Sequence, residues 1–477
     1  MDLLPLSLIA IGLMVCLANW RLGVFLTLTV GFLQDPLRKI ITDQPVWMQL
    51  GVGLFFLAAF GGCTMRFSGF KLSHVTRQHP LIARPLWAFI ILSIVYLGIT
   101  LVRYASIRLV GIGAFSYLFP MLALMLGFYF ARKPALVQRY LLLHAVFTAI
   151  MGLGIYLDYF GVHSPLFEQV GQGIVLYGGS GSMKTYCGLF RASEIAGWHL
   201  GASICFLSVV AISSRRTSVR ALAPIIILAL AGAAVLTGRR KVLMLVMLYA
   251  TFLGFALIYF RAKMRHGYAF VLLVGGLAAS LATGRFFQID PQRDDYQFYL
   301  DRSGTVMRDS PDRLRMLGIG SVYWSIQSNG FFGMGAGVAG QGSQYVGGTA
   351  DVNIGAAEGG IGRIATEFGV PGLFVVTWLF IAIYREGWRL TRQLAAGKDM
   401  SSSTVVCLMA FLAANIPVFI VASQAYGDPF IIFTLSVSAG FVAGLSRPAL
   451  LGGRQVARTP IPLPTRNRAR MRTVATT

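Results

Sequence analysis

Residues 221–260 read ALAPIIILALAGAAVLTGRRKVLMLVMLYATFLGFALIYF. Two apolar runs, about 221–237 and 242–260, are separated only by the turn Thr237-Gly238-Arg239-Arg240-Lys241. Each run approaches the ~20 residues that a helix needs to cross the hydrocarbon core of a bilayer. The pattern recurs along the chain. Eleven further apolar segments lie at about 3–19, 22–34, 46–63, 85–102, 109–130, 140–157, 195–213, 268–283, 361–384, 404–422 and 429–446. The second is short enough to be tilted or re-entrant, so about 12–14 transmembrane helices are expected. The fold class is an all-α polytopic membrane protein.

Composition agrees. Of 477 residues, 56% are hydrophobic and 12% charged, with a mean hydropathy of +0.68. A soluble chain carries about 25% charged residues. A soluble enzyme, a disordered chain and a disulfide scaffold are excluded. Cys16, Cys63, Cys205 and Cys407 fall in apolar segments and Cys187 in a loop, with no spacing that suits zinc or a redox pair. Asp2 stands where a cleavable signal would carry its basic residues, so the first segment is expected to remain as an anchor.

The net charge of +23 first suggests nucleic acid. Its distribution assigns it to the membrane. With the N-terminus outside and alternating connections, the inner side receives 25 basic residues against two acids, Glu386 and Asp399. The outer side receives 16 of each sign, so the whole excess faces the cytoplasm, as the positive-inside rule requires. Anionic lipid is the expected partner there, and no nucleic acid is expected. The expected location is the bacterial inner membrane, with a periplasmic N-terminus and a cytoplasmic C-terminus. In this organisation residues 1–283 form N-terminal helices with a periplasmic loop at 158–193. Residues 284–360 form a large periplasmic loop, 361–446 form the C-terminal helices, and 447–477 form a basic, Pro-rich tail that reads as disordered. The large loop exceeds what a helix connection needs, and its aromatic content marks it as an ordered element.

Outer-side arginines carry the chemical signal. Arg191 lies in Gly188-Leu189-Phe190-Arg191-Ala192-Ser193-Glu194, at the entry to a helix. Arg239, Arg240 and Lys241 oppose the orientation rule that their flanking segments obey. Arg313 and Arg315 lie in the large loop. A bound phosphate would explain such cations, because guanidinium groups hold phosphate oxygens in bidentate fashion. Snorkelling to headgroups and pairing with outer acids would also explain them. Arg363 and Glu367 stand four apart and read as an ordinary helical ion pair. Glu358, before that helix in a Gly-rich stretch, is placed to act as a general base. The glycines from Gly330 to Gly342 lack the ending and context of a phosphate loop, and read as turns packed on the membrane domain. His144 and His199 read as core residues. No group has metal-ligand spacing, so neither metal nor cofactor is expected.

Several motifs occur in a characteristic order. They are Gly31-Phe32-Leu33-Gln34-Asp35-Pro36-Leu37-Arg38-Lys39, then Phe190-Arg191-Ala192-Ser193-Glu194, then Leu236-Thr237-Gly238-Arg239-Arg240. Arg313 and Arg315 follow, about ten residues before Tyr323-Trp324. Gly333-Met334-Gly335-Ala336-Gly337 and Glu367-Phe368-Gly369-Val370-Pro371-Gly372-Leu373 complete the set. Over roughly residues 20–440 the chain resembles the O-antigen ligase and O-antigen polymerase superfamily of bacterial inner-membrane glycosyltransferases. The resemblance implies a C-type glycosyltransferase-like fold and metal-independent transfer of an oligosaccharide from an undecaprenyl-pyrophosphate carrier to an acceptor glycan hydroxyl. It maps pyrophosphate-binding arginines onto Arg191, Arg239 or Arg240, and Arg313 or Arg315. Tyr323 and Trp324 would stack on sugar rings, and Glu358 or Glu194 would take the acceptor proton. A chain-length regulator or another polysaccharide-assembly protein would be a partner.

One departure bears on the reaction. The His-Asn pair usual in ligases of this superfamily is replaced by Ala356-Ala357-Glu358-Gly359-Gly360, and the large loop has no histidine. The expectation is therefore a repeat-unit polymerase for exopolysaccharide or O-antigen. A ligase with a lipid or protein acceptor is the alternative within the superfamily. A lipid-linked sugar transporter or flippase is the alternative outside it. Sidedness is testable directly. In intact cells, a cysteine introduced at Gln344 should react with an impermeant maleimide, and one at Thr459 should react only after lysis. Labelling of both from one side would overturn the charge-based topology.

Overall fold

Inside a bilayer every backbone N–H and C=O must be paired within the protein, and a helix achieves this locally. The thirteen apolar segments accordingly fall on helices, with 109–130 divided between two and 361–384 prolonged to Leu394. The computed structural model describes residues 3–41, 44–66, 70–170, 176–178, 181–214, 216–260, 265–282, 299, 311–340, 343, 359–394, 400–423 and 425–446. Its helices are α1 (Leu3–Ala18), α2 (Trp20–Ile40), α3 (Gly51–Arg66), α4 (Leu72–Gln78), α5 (Pro80–Tyr104), α6 (Ile107–Tyr117), α7 (Phe119–Phe130) and α8 (Pro134–Tyr159). They continue with α9 (Ser193–Ser213), α10 (Thr217–Leu236), α11 (Arg240–Tyr259), α12 (Arg265–Ala282), α13 (Ser321–Asn329), α14 (Gly360–Leu394), α15 (Met400–Val421) and α16 (Pro429–Leu445). A hairpin of two three-residue strands, Leu176–Gly178 and Gly181–Met183, interrupts the 158–193 connection.

Among the described residues, nine helices are long and apolar enough to cross a membrane, and three shorter apolar helices accompany them. The chain is a polytopic α-helical membrane protein. Helix α2 is polar at both ends, from Arg21 at its start to Asp35, Arg38 and Lys39 at its close, and among the described residues the apolar stretches of α1, α12 and α16 are shorter than 18 residues.

Helix α9 is the axis of the bundle. Every one of its residues is buried, packed among α8, α10, α11 and α15. Small residues permit the closest approaches, as expected where helices meet without water to drive them together. A Cβ at Gly440 on α16 would stand 2.7 Å from the Phe128 nitrogen of α7, so α7 and α16 are in backbone contact there.

Helix α14 is broken. Gly369 adopts φ 62° and ψ −154°, which ends the helical ladder nine residues after Gly360. The segment 311–340 fills the break. Ser325 Oγ donates to Gly362 O (3.2 Å) and receives a bond from Thr366 Oγ1 (3.0 Å). Farther along, Val370 N donates to Phe331 O (2.9 Å). The chain then reverses. Met334 N and Gly335 N donate to Thr366 O and Glu367 O at 2.8 and 2.9 Å, and Gly340 lies against Arg363. Residues 321–340 thus descend beside the first part of α14 and return. The turn requires left-handed backbone, with φ of 71°, 119° and 90° at Gly333, Gly335 and Gly337. The glycines therefore serve as turns packed on the membrane helices, as read from the sequence.

Candidate functional site

The buried carboxylate of Glu367 shows how this bundle handles charge. It accepts from Tyr117 Oη (2.6 Å), Gly337 N (2.9 Å), Ala339 N (3.0 Å) and Arg363 Nε (3.2 Å). Arg363 Nη2 donates to Ser116 Oγ at 3.0 Å. The expected pair Arg363–Glu367 is present, and it also pins the returning glycine strand. All four donors stabilise an ion that would otherwise be costly in an apolar interior. The group is saturated and structural.

The entry to α9 is different. Arg191 precedes the helix by two residues. Its backbone N–H and Nη1 donate to Asp35 at 3.1 and 3.4 Å, and its Nη2 donates to Asp428. Asp35 belongs to α2. Asp428 caps α16, accepting from Phe430 N and Ile431 N at 2.8 Å each. One guanidinium therefore joins the ends of three helices. Burial works against its charge, but Asp428 and then Asp35 outweigh burial and raise its pKa above the usual arginine value. Close by, Lys39 Nζ donates to Gly188 O (2.8 Å) and Leu166 O (2.9 Å), clipping the incoming loop to α2. Its contact with Cys187 Sγ is 3.5 Å, and burial pushes the Cys187 thiol pKa up.

One turn on, the α10–α11 connection meets the same helix start. Gly238 (φ 65°) allows the tight turn, and Thr237 Oγ1 accepts from Arg239 N at 3.3 Å. Arg239 reaches back to α9. Its Nε donates to Ser193 Oγ (2.9 Å) and its Nη1 to Glu194 Oε1 (3.1 Å). Lys241 Nζ meets the same Oε1 at 3.1 Å. Arg239 Nη2 is buried and has no hydrogen-bond partner among the described residues, although the side chain is only 9% exposed. Burial lowers the pKa of this guanidinium, and Glu194 partly offsets that effect. Two cations thus share one carboxylate beside a 21-residue helix whose N-cap, Ala192, supplies no side-chain cap. A guanidinium nitrogen with no partner among the described residues, beside a helix start with no side-chain cap, suits an oxyanion.

The remaining predicted residues lie elsewhere or outside the described set. Arg240 opens α11 beside this cluster, half-buried. Arg313 and Arg315 are exposed at the start of the descending segment. Tyr323 and Trp324 are exposed on it, at 71% and 47%. Glu358 lies outside the described residues; its neighbour Gly359 packs against Ile420 O at the end of α15. His144 and His199 are fully buried, with His199 Nδ1 3.2 Å from His144 Nε2 and His144 Nδ1 3.0 Å from Ser203 Oγ. Among the described residues no group of three or more His, Cys, Asp or Glu could hold a metal ion.

Sequence reading singled out neither Asp35, Asp428, Lys39 nor Ser193 as site residues. Asp35 and Lys39 sit inside the quoted early motif, and Asp428 heads the last apolar segment. An acid at the edge of an apolar segment was the available signal. No protein-family model matches the chain, and a search of curated proteins returns no match, so the site rests on its geometry.

The shared guanidinium makes a prediction. Asp428→Ala leaves Arg191 half-paired and uncaps α16, and should destabilise the protein by about 3–5 kcal/mol, the usual cost of breaking a buried ion pair. Asp312→Ala, at an exposed position remote in sequence from the three partners, is the comparison. Denaturant unfolding in mixed micelles measures both, and an unchanged midpoint for Asp428→Ala would show that Arg191 does not depend on it.

Proposed function

We propose that the chain is a periplasmic-side glycan polymerase that transfers an oligosaccharide from undecaprenyl pyrophosphate to an acceptor sugar hydroxyl. The observation that carries this reading is the buried Nη2 of Arg239, which has no hydrogen-bond partner among the described residues and stands at the start of α9, where no side chain caps the helix. In the reaction, the acceptor oxygen bonds to the anomeric carbon as the carbon–oxygen bond to the pyrophosphate breaks. The carrier departs as undecaprenyl pyrophosphate, and the acceptor proton passes to a carboxylate. Negative charge grows on the bridging oxygen as it leaves, and preorganised cations at that position lower the barrier more than any other term.

Roles follow from partners. Arg239 offers its free edge to the pyrophosphate, with Arg240 and Lys241 adding charge. Arg191, engaged by Asp35 and Asp428, acts as a positioning residue that holds the α9 entry in place. Glu194 Oε1 already accepts from two cations, so it orients them, and Glu358 is the proposed base. Arg313 and Arg315 are exposed and belong to the approach of the carrier. A C-type glycosyltransferase fold, about thirteen crossings, and the inner membrane with a periplasmic N-terminus complete the reading. The break at Gly369 is the feature a transporter would share, since transporters use discontinuous helices at their sites. Here the freed backbone groups are taken by Phe331 and the glycine strand, which leaves the break closed. That favours the enzyme.

The test is elongation by purified protein in nanodiscs supplied with synthetic lipid-linked oligosaccharide, with donor binding followed separately. Arg239→Ala should abolish both binding and elongation, and Arg239→Lys should restore little because it lacks the fork. Glu358→Gln should bind donor but lose transfer by about 10²–10⁴-fold, the range for a lost acid–base group. Glu367→Gln should act through stability alone. Full elongation by Arg239→Ala would remove the oxyanion site from the mechanism.

A further inference from the structure

The segment 311–332 carries an apolar face that the glycan-transfer reading does not use. Met316, Ile319, Tyr323, Phe331 and Phe332 are all more than half exposed, with Ile319 at 77%. Five such side chains within 17 residues exceed the scattered apolar exposure of an ordinary surface. Arg313 and Arg315 stand at the upstream end of the same segment, both exposed.

Three observations locate this face relative to the membrane. The first is its footing. Gly318 packs near Ile420, at the end of α15, and Ser325 bonds to α14 at Gly362, just after that helix begins. The following turn at 425–428 leads to Asp428 and so to Arg191, which puts the segment at the same end of the bundle as the α9 entry. The second is depth. Phe331 O meets Val370 N, ten residues into α14, and a helix rises 1.5 Å per residue. Phe331 and Phe332 therefore lie about 15 Å along α14 from its start, comparable to half of a ~30 Å hydrocarbon core. The third is continuity. Phe374 lies one turn beyond Val370 on α14 and is 69% exposed, followed by exposed Trp378 and Ile381. The face of the segment thus runs into the apolar exterior of a membrane-crossing helix.

We infer that Met316, Ile319, Tyr323, Phe331 and Phe332 face phospholipid acyl chains as a re-entrant element, with Arg313 and Arg315 at the level of the headgroup phosphates. The chemistry is consistent along its length. Cations occupy the rim, Tyr323 and Trp324 lie at an intermediate level where aromatic side chains with a polar handle are favoured, and phenylalanines lie deepest. The irregular backbone from Gly330 to Gly340 is tolerated at that depth because it is held against protein, on α5, α14 and Glu367. This inference depends on the helices crossing a bilayer and is independent of which reaction the α9 entry supports. It also assigns Tyr323 to lipid, whereas the family resemblance assigns it to sugar.

The experiment is site-directed spin labelling of the full chain in phospholipid nanodiscs. Cysteine is introduced singly at Met316, Ile319, Tyr323 and Phe332; the five native cysteines are buried. Accessibility to oxygen, which partitions into lipid, is compared with accessibility to a water-soluble nickel chelate. The expected result is a rise in the oxygen-to-nickel ratio from Met316 to Phe332. Greater nickel accessibility throughout would place the face in water and overturn the inference. Protection from both reagents would show that protein covers it, and would overturn the inference equally. Trp324 gives a second measurement with no introduced cysteine. Brominated phosphatidylcholine should quench wild type more than Trp324→Phe, and equal quenching would count against lipid contact.

Discussion

A charge inside an apolar bundle must be neutralised and hydrogen-bonded, and the positions of several buried ions among the described residues follow from that constraint. Arg191 lies between Asp35 and Asp428, Glu367 among four donors, and Glu386 beside His79 and Arg389 at 2.7 and 2.9 Å. Each group joins elements distant in sequence. The first ties α2, α9 and α16; the second ties α6, α14 and the glycine strand; the third ties the start of α5 to the far part of α14. Apolar packing alone would leave such helices free to slide, since lipid tails are as apolar as leucine. The ion pairs supply the register. Among the described residues Arg239 keeps one buried nitrogen without a hydrogen-bond partner, as Arg21 and Arg220 do, and it differs from them in standing beside the start of α9.

That contrast separates charge held by the chain itself from the charge proposed to bind substrate. Arg363 directs its donors at Glu367 and Ser116, and Arg191 directs its donors at Asp35 and Asp428. Arg239 directs two at Ser193 and Glu194, and its third has no partner among the described residues, next to Lys241 and to a helix start with no side-chain cap. An incoming phosphate oxygen would complete its set without breaking any existing bond.

Much of the fold was legible in the sequence because bilayer thickness imposes a length on apolar runs, and thirteen of them fall on helices. The pair Arg363–Glu367 was legible because it is local, at a spacing of four. Long-range partners were not. Asp35 and Asp428 lie 156 and 237 positions from Arg191, and no periodicity links them. The descent of residues 321–340 beside α14 was also hidden. No local pattern sets its depth, which is fixed where Phe331 meets the break at Gly369. The sequence grouped Arg191, Arg239 and Arg313 as equivalent outer cations. In the fold the first is saturated, the second is open on one edge and the third is exposed, a distinction only three-dimensional partners can make.

The most direct test is an electron cryomicroscopy structure of the protein in nanodiscs with undecaprenyl pyrophosphate bound. Phosphate density within hydrogen-bonding distance of Arg239 Nη2, at the start of α9, is the expected result, with Arg191 still held by Asp35 and Asp428. Pyrophosphate density resting elsewhere, with Arg239 Nη2 unoccupied, would contradict the assignment of the α9 entry as the site of transfer.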